Sequence, residues 1–229
     1  MNPLESRYHE ISTRIQAAHA EVGRVDPVTL IAVSKTHSTE MIKRLYGLGH
    51  RDFGENYSQE LIEKAETLRE AGCHEIRWHF LGHLQTNKVK TILPYVSVIH
   101  SIDSEKLAQE VAKRWATMRT GKKIDVFLEV NIDQEPTKTG LSPQDTRIMA
   151  MRFNSLPELN LLGLMCIPSA PIGGAIQRAA FQRTRELEVA CRPQSHGQLS
   201  MGMTQDFEDA IREGSTHVRV GTAIFGGRG

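Results

Sequence analysis

Eight short apolar runs alternate along the chain with stretches of helical period, and that alternation limits the folds open to it. The runs are VTLIAVSK (28–35), DFGEN (52–56), IRWHFLG (76–82), VSVIHSI (96–102), IDVFLEVNI (124–132), LNLLGLMCI (159–167), GQLSMG (197–202) and HVRVG (217–221). Helical patterns such as SQELIEKAETLREAG and DSEKLAQEVAKRWATMR lie between them, and a further helix over roughly 4–22 precedes the first run. Ser38 or Thr39, Asp103 or Ser104, Ser142 with Pro143, and Thr204 supply N-cap chemistry, while Gly49, Gly72, Gly121 and Gly214 close helices. Strand and helix in alternation, with short connections, give a parallel sheet covered by helices. Eight such units predict an α/β fold, a single-domain (β/α)8 TIM barrel over residues 1–229 with an extra N-terminal helix. A doubly wound open sheet is the structural competitor.

Charge and composition narrow the function. Lysine and arginine number 28 against 27 aspartates and glutamates, a net charge of +1, so no charge excess suggests nucleic acid or an anionic membrane as partner. Cys73, Cys166 and Cys191 stand far apart with no CxxC pairing, as in a reduced cytosolic protein. The N-terminal residues are charged and helical in pattern, unlike a signal peptide, and no apolar run is long enough to span a bilayer. A soluble cytoplasmic monomer is the expectation.

In a barrel of this kind the chemistry collects at the C-terminal ends of the strands, with phosphates often bound after strands seven and eight. Lys35 ends the first run, sharing a strand face with Ile31 and Val33. Read locally, it is a strand-end lysine pointing into solvent. If that face lines the barrel, it is a partly desolvated amine of the kind Schiff-base chemistry uses. LSMGMTQDFEDAI offers a glycine for close backbone approach and a helix opening at Thr204; HVRVGTAIFG offers Gly221 and Thr222 as a second turn of N–H and hydroxyl donors. An amine and a phosphate cradle at one rim suit either a phosphorylated sugar, as in a class I aldolase, or pyridoxal 5′-phosphate. Arg219, on the same face as His217 and Gly221, favours the second, because an arginine beside a pyridine nitrogen keeps it unprotonated.

AVSKTH, FGENYSQE, WHFLGHLQTNK, GLMCIP, LSMGMTQDFEDAI and VRVGTAIFG, in this order along essentially the whole chain, resemble the pyridoxal phosphate homeostasis protein family. The resemblance implies a barrel similar to the N-terminal domain of bacterial alanine racemase. It also implies pyridoxal phosphate (PLP) held as an internal aldimine, in a protein that buffers the cofactor or delivers it to apo-enzymes without catalytic turnover. Carried over, Lys35 matches the aldimine lysine, Arg219 the arginine at the pyridine nitrogen, and Ser200, Gly202, Gly221 and Thr222 the phosphate-binding positions. Asn56 in the GEN block faces the cofactor, and Thr204 stands where serine is usual, keeping the hydroxyl.

Other signals carry less. His79 and His83 have HxxxH spacing, but along a strand that spacing separates them by roughly 13 Å, so a core and a loop histidine are expected and no metal site. Cys166 reads as a small buried hydrophobe, and Trp115 and Met118 as helix packing. Glu129 and Asn131 form a polar layer under the ligand if they face the barrel. Lys138 is either a solvated loop lysine or a second amine able to take the aldehyde by transimination. The rival function is a PLP-dependent racemase or a Schiff-base aldolase. Racemization needs acid/base groups on both faces of the substrate, and Tyr8, Tyr46, Tyr57 and Tyr95 are not in a context that supplies the second. From the residues alone an enzyme is the better reading; the resemblance turns it to a carrier with no catalytic residue.

Overall fold

The structure, a computed structural model, describes residues 2–169 and 174–227, so the expected domain span runs past it at both ends. Eight strands, β1 (Thr29–Val33), β2 (Asp52–Glu55), β3 (Arg77–Phe80), β4 (Val98–Ile102), β5 (Ile124–Val130), β6 (Leu159–Cys166), β7 (Gln198–Ser200) and β8 (His217–Val220), pair in chain order. All the pairings are parallel, and β8 closes onto β1. The closed barrel is borne out and the open sheet excluded. Among the described residues, no helix is long and apolar enough to cross a membrane.

The helices follow from their ends. Helix α1 (Pro3–Glu21) starts from a capping box: the Asn2 side chain accepts from Leu4 N–H, and Glu5 reaches back to the Asn2 N–H. Helices α2 (Thr39–Gly47), α3 (Ser58–Glu70), the single turn α4 (Val89–Ile92), α5 (Glu105–Thr117), α6 (Pro143–Arg152) and α7 (Ala175–Ala190) cover the barrel. Ser104 and Ser142 cap α5 and α6 through their side chains, and Gly49, Gly72, Gly121 and Gly214 take positive φ near helix ends. Helix α8 (Phe207–Arg212) opens at Asp206 rather than Thr204, because residues 203–206 form a turn in which the Asp206 carboxylate accepts the Met203 N–H (2.5 Å). A one-turn helix, α9 (Thr222–Phe225), follows β8. The extra helix α1 buttresses this end of the barrel: Arg7 donates to the carbonyls of Ile224 (2.7 Å) and Phe225 (3.2 Å), and Arg14 pairs with Glu208 on α8.

Alternation along the strands divides the core in two. Outward-facing residues such as Ala32, Phe53, Phe80, Ile99, Val126, Leu164 and Val218 pack with apolar helix faces into one large cluster. Inside the barrel, only Val98, Phe127, Leu162 and Met165 form a separate apolar cluster. Ile31 and Val33 of β1 add apolar surface, and much of the remaining interior is polar. Buried Asp52, His79, His100, Ser200, His217 and Arg219 come from five different strands. His79 Nε2 lies 3.0 Å from Asp52 Oδ1, His79 Nδ1 2.9 Å from His100 Nε2, and His100 Nδ1 2.9 Å from Ser200 Oγ. The His100 ring stacks on Phe127 (centroids 4.6 Å apart), and His217 meets Phe127 edge-on.

Burial holds the imidazoles of His100 and His217 neutral. It lowers His100 well below the usual 6.5 and His217 to about 3. The unfolded chain therefore takes up a proton at each site below about 6.5 while the folded chain does not, so stability must fall as pH falls from there toward 3. His217 contributes about 1.4 kcal/mol per pH unit in that window, and His100 acts in the same direction. Urea titrations at pH 7 and pH 5 should differ in unfolding free energy by about 2 kcal/mol or more. Equal values would contradict a barrel filled with neutral imidazoles.

Candidate functional site

The C-terminal mouth of the barrel holds a cavity of about 370 Å³. Its apolar walls are Val33, Leu81, Met165, Ile167 and Met203, and its polar groups come from Lys35, Asn56, Thr204, Gln205, Asp206, Arg219 and Thr222. Lys35 is half-buried, two residues beyond the last residue of β1. It is the one lysine lining the cavity, and among the described residues its amine has no hydrogen bond or ion pair.

Its neighbours fix where that amine points. Ser34 is buried, its N–H donates to the Gly54 carbonyl (2.9 Å), and its hydroxyl donates to Glu55 Oε1 (2.7 Å). Lys64 on α3 donates to the Ser34 carbonyl (2.7 Å), to Glu55 (2.8 Å) and to Glu60 (2.7 Å), and Glu60 also accepts the Thr36 N–H (2.5 Å). Thr36 has φ 66°, a left-handed conformation that a threonine takes at a cost and that this clamp maintains. The carboxylates and Lys64 grip residues 34–36, and the Lys35 side chain reaches the cavity.

Arg219 lies on the adjoining strand β8, in register with Ile31 of β1, and is only 5 % exposed. Its Nη1 donates to the Ser200 carbonyl (2.6 Å) and to Ser200 Oγ (2.7 Å), and its Nη2 donates to the Cys166 carbonyl (2.9 Å). Burial lowers its pKa, an effect opposed by Cys166, Asp206 and Glu129 nearby, yet the guanidinium remains the cation.

The third wall comes from the turns after β7 and β8. Gly202 has φ 93°, and a Cβ there would lie 2.6 Å from Ala210 Cβ and 2.9 Å from Phe207 Cα; only glycine lets the chain turn this close to α8. Gly221 brings β8 against β1, where a Cβ would come within 3.1 Å of the Val33 carbonyl. The two turns meet where the Thr222 hydroxyl donates to Thr204 Oγ1 (3.2 Å). Two hydroxyls and the N–H groups of a first helical turn at one wall suit an anionic group. Asp206 is the carboxylate on this lining, and both its oxygens are engaged, by the Met203 N–H and the Gln177 amide; burial raises its pKa.

Of the residues singled out in the sequence, Lys35, Asn56, Arg219, Gly221 and Thr222 line this one cavity. Ser200 and Gly202 do not. Ser200 is fully buried and turns its hydroxyl inward, between Arg219 and His100, while Gly202 shapes the turn and accepts the Arg219 N–H at its carbonyl (3.0 Å). Asn131 is spent on its own loop, bonding both the N–H and the carbonyl of Glu135. Glu129 accepts from Thr139, and burial raises its pKa. Lys138 donates to Ser169 Oγ (3.0 Å) and pairs with Glu135 (3.4 Å), beside the rim rather than on the lining. The Cys166 thiol, pushed to about 11 by burial, is inert. His79 bonds inside the barrel and His83 pairs with Asp103 (3.0 Å); no metal-binding cluster occurs among the described residues. Asp206 and Gln205 on the lining, and His100 beneath it, were not anticipated; the polar residue within the apolar run VSVIHSI was the available signal for His100.

Residues 8–229 match the family described as alanine racemase, N-terminal domain. The pyridoxal phosphate homeostasis protein of Pseudomonas aeruginosa is 39 % identical over 230 residues, covering 100 % of this chain and 97 % of that one. Among solved structures, PipY of Synechococcus elongatus PCC7942 with PLP bound superposes with a TM-score of 0.84 at 32 % identity, covering 97 % of this chain and 100 % of that one. Alanine racemase of Clostridium difficile 630, at 12 % identity and TM-score 0.75, shares the fold over 96 % of this chain and 56 % of its own. With full-length likeness of this order, and the expected amine, guanidinium and hydroxyls gathered at one barrel mouth, the chain belongs to the pyridoxal phosphate homeostasis protein family.

Proposed function

We propose that this protein binds PLP in the barrel-mouth cavity and holds it for release to apo-enzymes in the cytoplasm, without turning over amino acids. The observation that carries the reading is that Lys35, Arg219 and the Thr204–Thr222 pair all line one cavity. The residues fit the cofactor: an amine for the aldehyde, a permanent donor for the ring nitrogen, hydroxyls for the phosphate, and apolar walls in a volume within the usual range for small-molecule sites. When bound, PLP supplies an electrophilic aldehyde on a pyridine ring. Lys35 Nζ is the amine positioned to condense with that aldehyde, with loss of one water; a link of this kind exchanges readily with other amines, which suits release. Arg219 would be the donor to the ring nitrogen and has no proton to yield, so the ring would stay a weak electron sink.

The enzyme reading needs a second acid/base group opposite Lys35. The titratable groups on the described lining are Lys35, Asp206 and Arg219, and Asp206 is tied into its own turn. The tyrosines lie elsewhere: Tyr8 contacts His50, Tyr46 bonds Glu75, Tyr95 bonds Glu66, and Tyr57 is 60 % exposed.

Gly221→Val, which crowds the Val33 carbonyl and the turn leading to Thr222, should weaken PLP by about tenfold or more, roughly 1.4 kcal/mol, and pyridoxal far less. Equal losses for the two ligands, measured by equilibrium binding, would put the phosphate on another wall. The loaded protein should reactivate an apo PLP-dependent enzyme. Mixed alone with L-alanine in deuterated water, it should exchange no α-proton. Sustained exchange that copurifies with the protein and is lost in Lys35→Ala would make it a racemase.

A further inference from the structure

The chain of contacts beneath Arg219 has a direction that chemistry fixes. Arg219 has only donors, so Ser200 Oγ accepts from Nη1 (2.7 Å). The Ser200 hydroxyl then has its own hydrogen to place, and its other partner is His100 Nδ1 at 2.9 Å, which must accept it. His100 carries its ring hydrogen on Nε2 and donates to His79 Nδ1 (2.9 Å), and His79 carries its own on Nε2 and donates to Asp52 Oδ1 (3.0 Å). Asp52 ends the series as an acceptor and takes a further bond from Arg77 (2.5 Å), whose side chain is 61 % exposed. Burial alone would raise the Asp52 carboxyl, but the bonds from His79 and Arg77 prevail and hold it at about 2, an ionised terminus.

We propose that Asp52, His79, His100 and Ser200 form a relay of hydrogen bonds of one polarity, crossing the barrel interior, that positions the Arg219 guanidinium against the ring nitrogen of the bound cofactor. His100 and His79 are positioning residues in it. The proposal rests on the PLP reading for its function, and on geometry alone for its polarity.

The opposite polarity can be drawn. With His79 as an imidazolium, His100 would carry its hydrogen on Nδ1, and Ser200 Oγ would receive both His100 and Arg219. The serine hydrogen would then have no acceptor among its neighbours in the described structure, and a second cation would sit in the same interior as Arg219. The first arrangement satisfies every donor in the series. It also gives Ser200 a reason to present its lone pair to Arg219: its hydrogen is already placed with His100. Without that acceptor, the hydroxyl rotates to find another, and the Nη1 bond to Oγ weakens while the bonds to the Ser200 and Cys166 carbonyls remain.

Two measurements test this. Long-range 1H–15N spectra of the wild-type protein with 15N-labelled histidine, near neutral pH and without cofactor, should show His79 and His100 neutral with hydrogen on Nε2. An imidazolium His79 or an Nδ1–H His100 overturns the polarity, whatever ligand the cavity takes. The second measurement is the signal of PLP labelled with 15N at the ring nitrogen. In the wild type it should report an unprotonated, hydrogen-bonded pyridine. His100→Phe, which keeps a ring against Phe127, should shift that signal and weaken PLP by about tenfold. His100→Asn, which returns an acceptor near the Nδ1 position, should restore both. A folded His100→Phe protein with unchanged signal and affinity overturns the positioning role, as does an Asn variant that fails to recover either. If His100→Phe does not fold, the Asn variant and the wild-type tautomers decide the matter. A wild type that takes no PLP contradicts the functional reading, while the tautomers still test the relay.

Discussion

A guanidinium inside a closed barrel must have its charge balanced by acceptors, because it cannot shed a proton and is largely withdrawn from water. Arg219 is in that position, and much of the interior follows from it. The carbonyls of Ser200 and Cys166 accept its hydrogens at the ends of β7 and β6, and its N–H draws in the Gly202 carbonyl. Ser200 must offer its oxygen as acceptor, so the core beyond it must accept in turn, through His100, then His79, then Asp52. A barrel with an aliphatic centre could not hold this arginine. The polar filling and the buried cation imply one another.

The end of the adjoining strand β1 obeys a different rule. In its proposed role Lys35 must keep its amine free of partners, and the carboxylates near it are engaged by other groups. Glu55 and Glu60, the carboxylates close to its turn, are occupied by Lys64, Ser34 and the Thr36 N–H. Burial raises Glu55, and the bonds from Lys64 and Ser34 oppose that rise. One lysine thus spends its charge holding two carboxylates so that another can keep its amine unpaired. Helix α1 serves the third wall in a similar way, since Arg7 secures the carbonyls at the end of α9 that would otherwise leave the Gly221 turn loose.

The barrel was legible because each strand is a short apolar run bounded by cap and glycine chemistry, and all eight runs became strands. Their ends were less legible. Apolar residues continue past the last ladder bond, so the first run was read through Lys35 while β1 stops at Val33. Thr204 was read as a helix start, but the Asp206 side chain captures the Met203 N–H and delays the helix to Phe207. Lys35, Asn56, Arg219, Gly221 and Thr222 could be named because they end strands, and strand ends converge in a closed parallel barrel. Ser200 was read as a cradle residue, whereas its hydroxyl lies between Arg219 and His100 off the cavity lining; it pairs with His217, a register that follows from closure between β7 and β8, not from local sequence. The His79–His100–Ser200 series was hidden for the same reason, its members being 21 and 100 residues apart.

The central claim is that one amine, Lys35, and one guanidinium, Arg219, line a single cavity, and that this cavity is proposed to hold PLP through Lys35. Loading the protein with PLP, reducing it with borohydride and mapping the modified peptide tests this most directly. The account predicts a single dominant adduct on Lys35, formed near one equivalent. An adduct mainly on Lys138 or Lys64, or labelling spread over surface lysines, would contradict it.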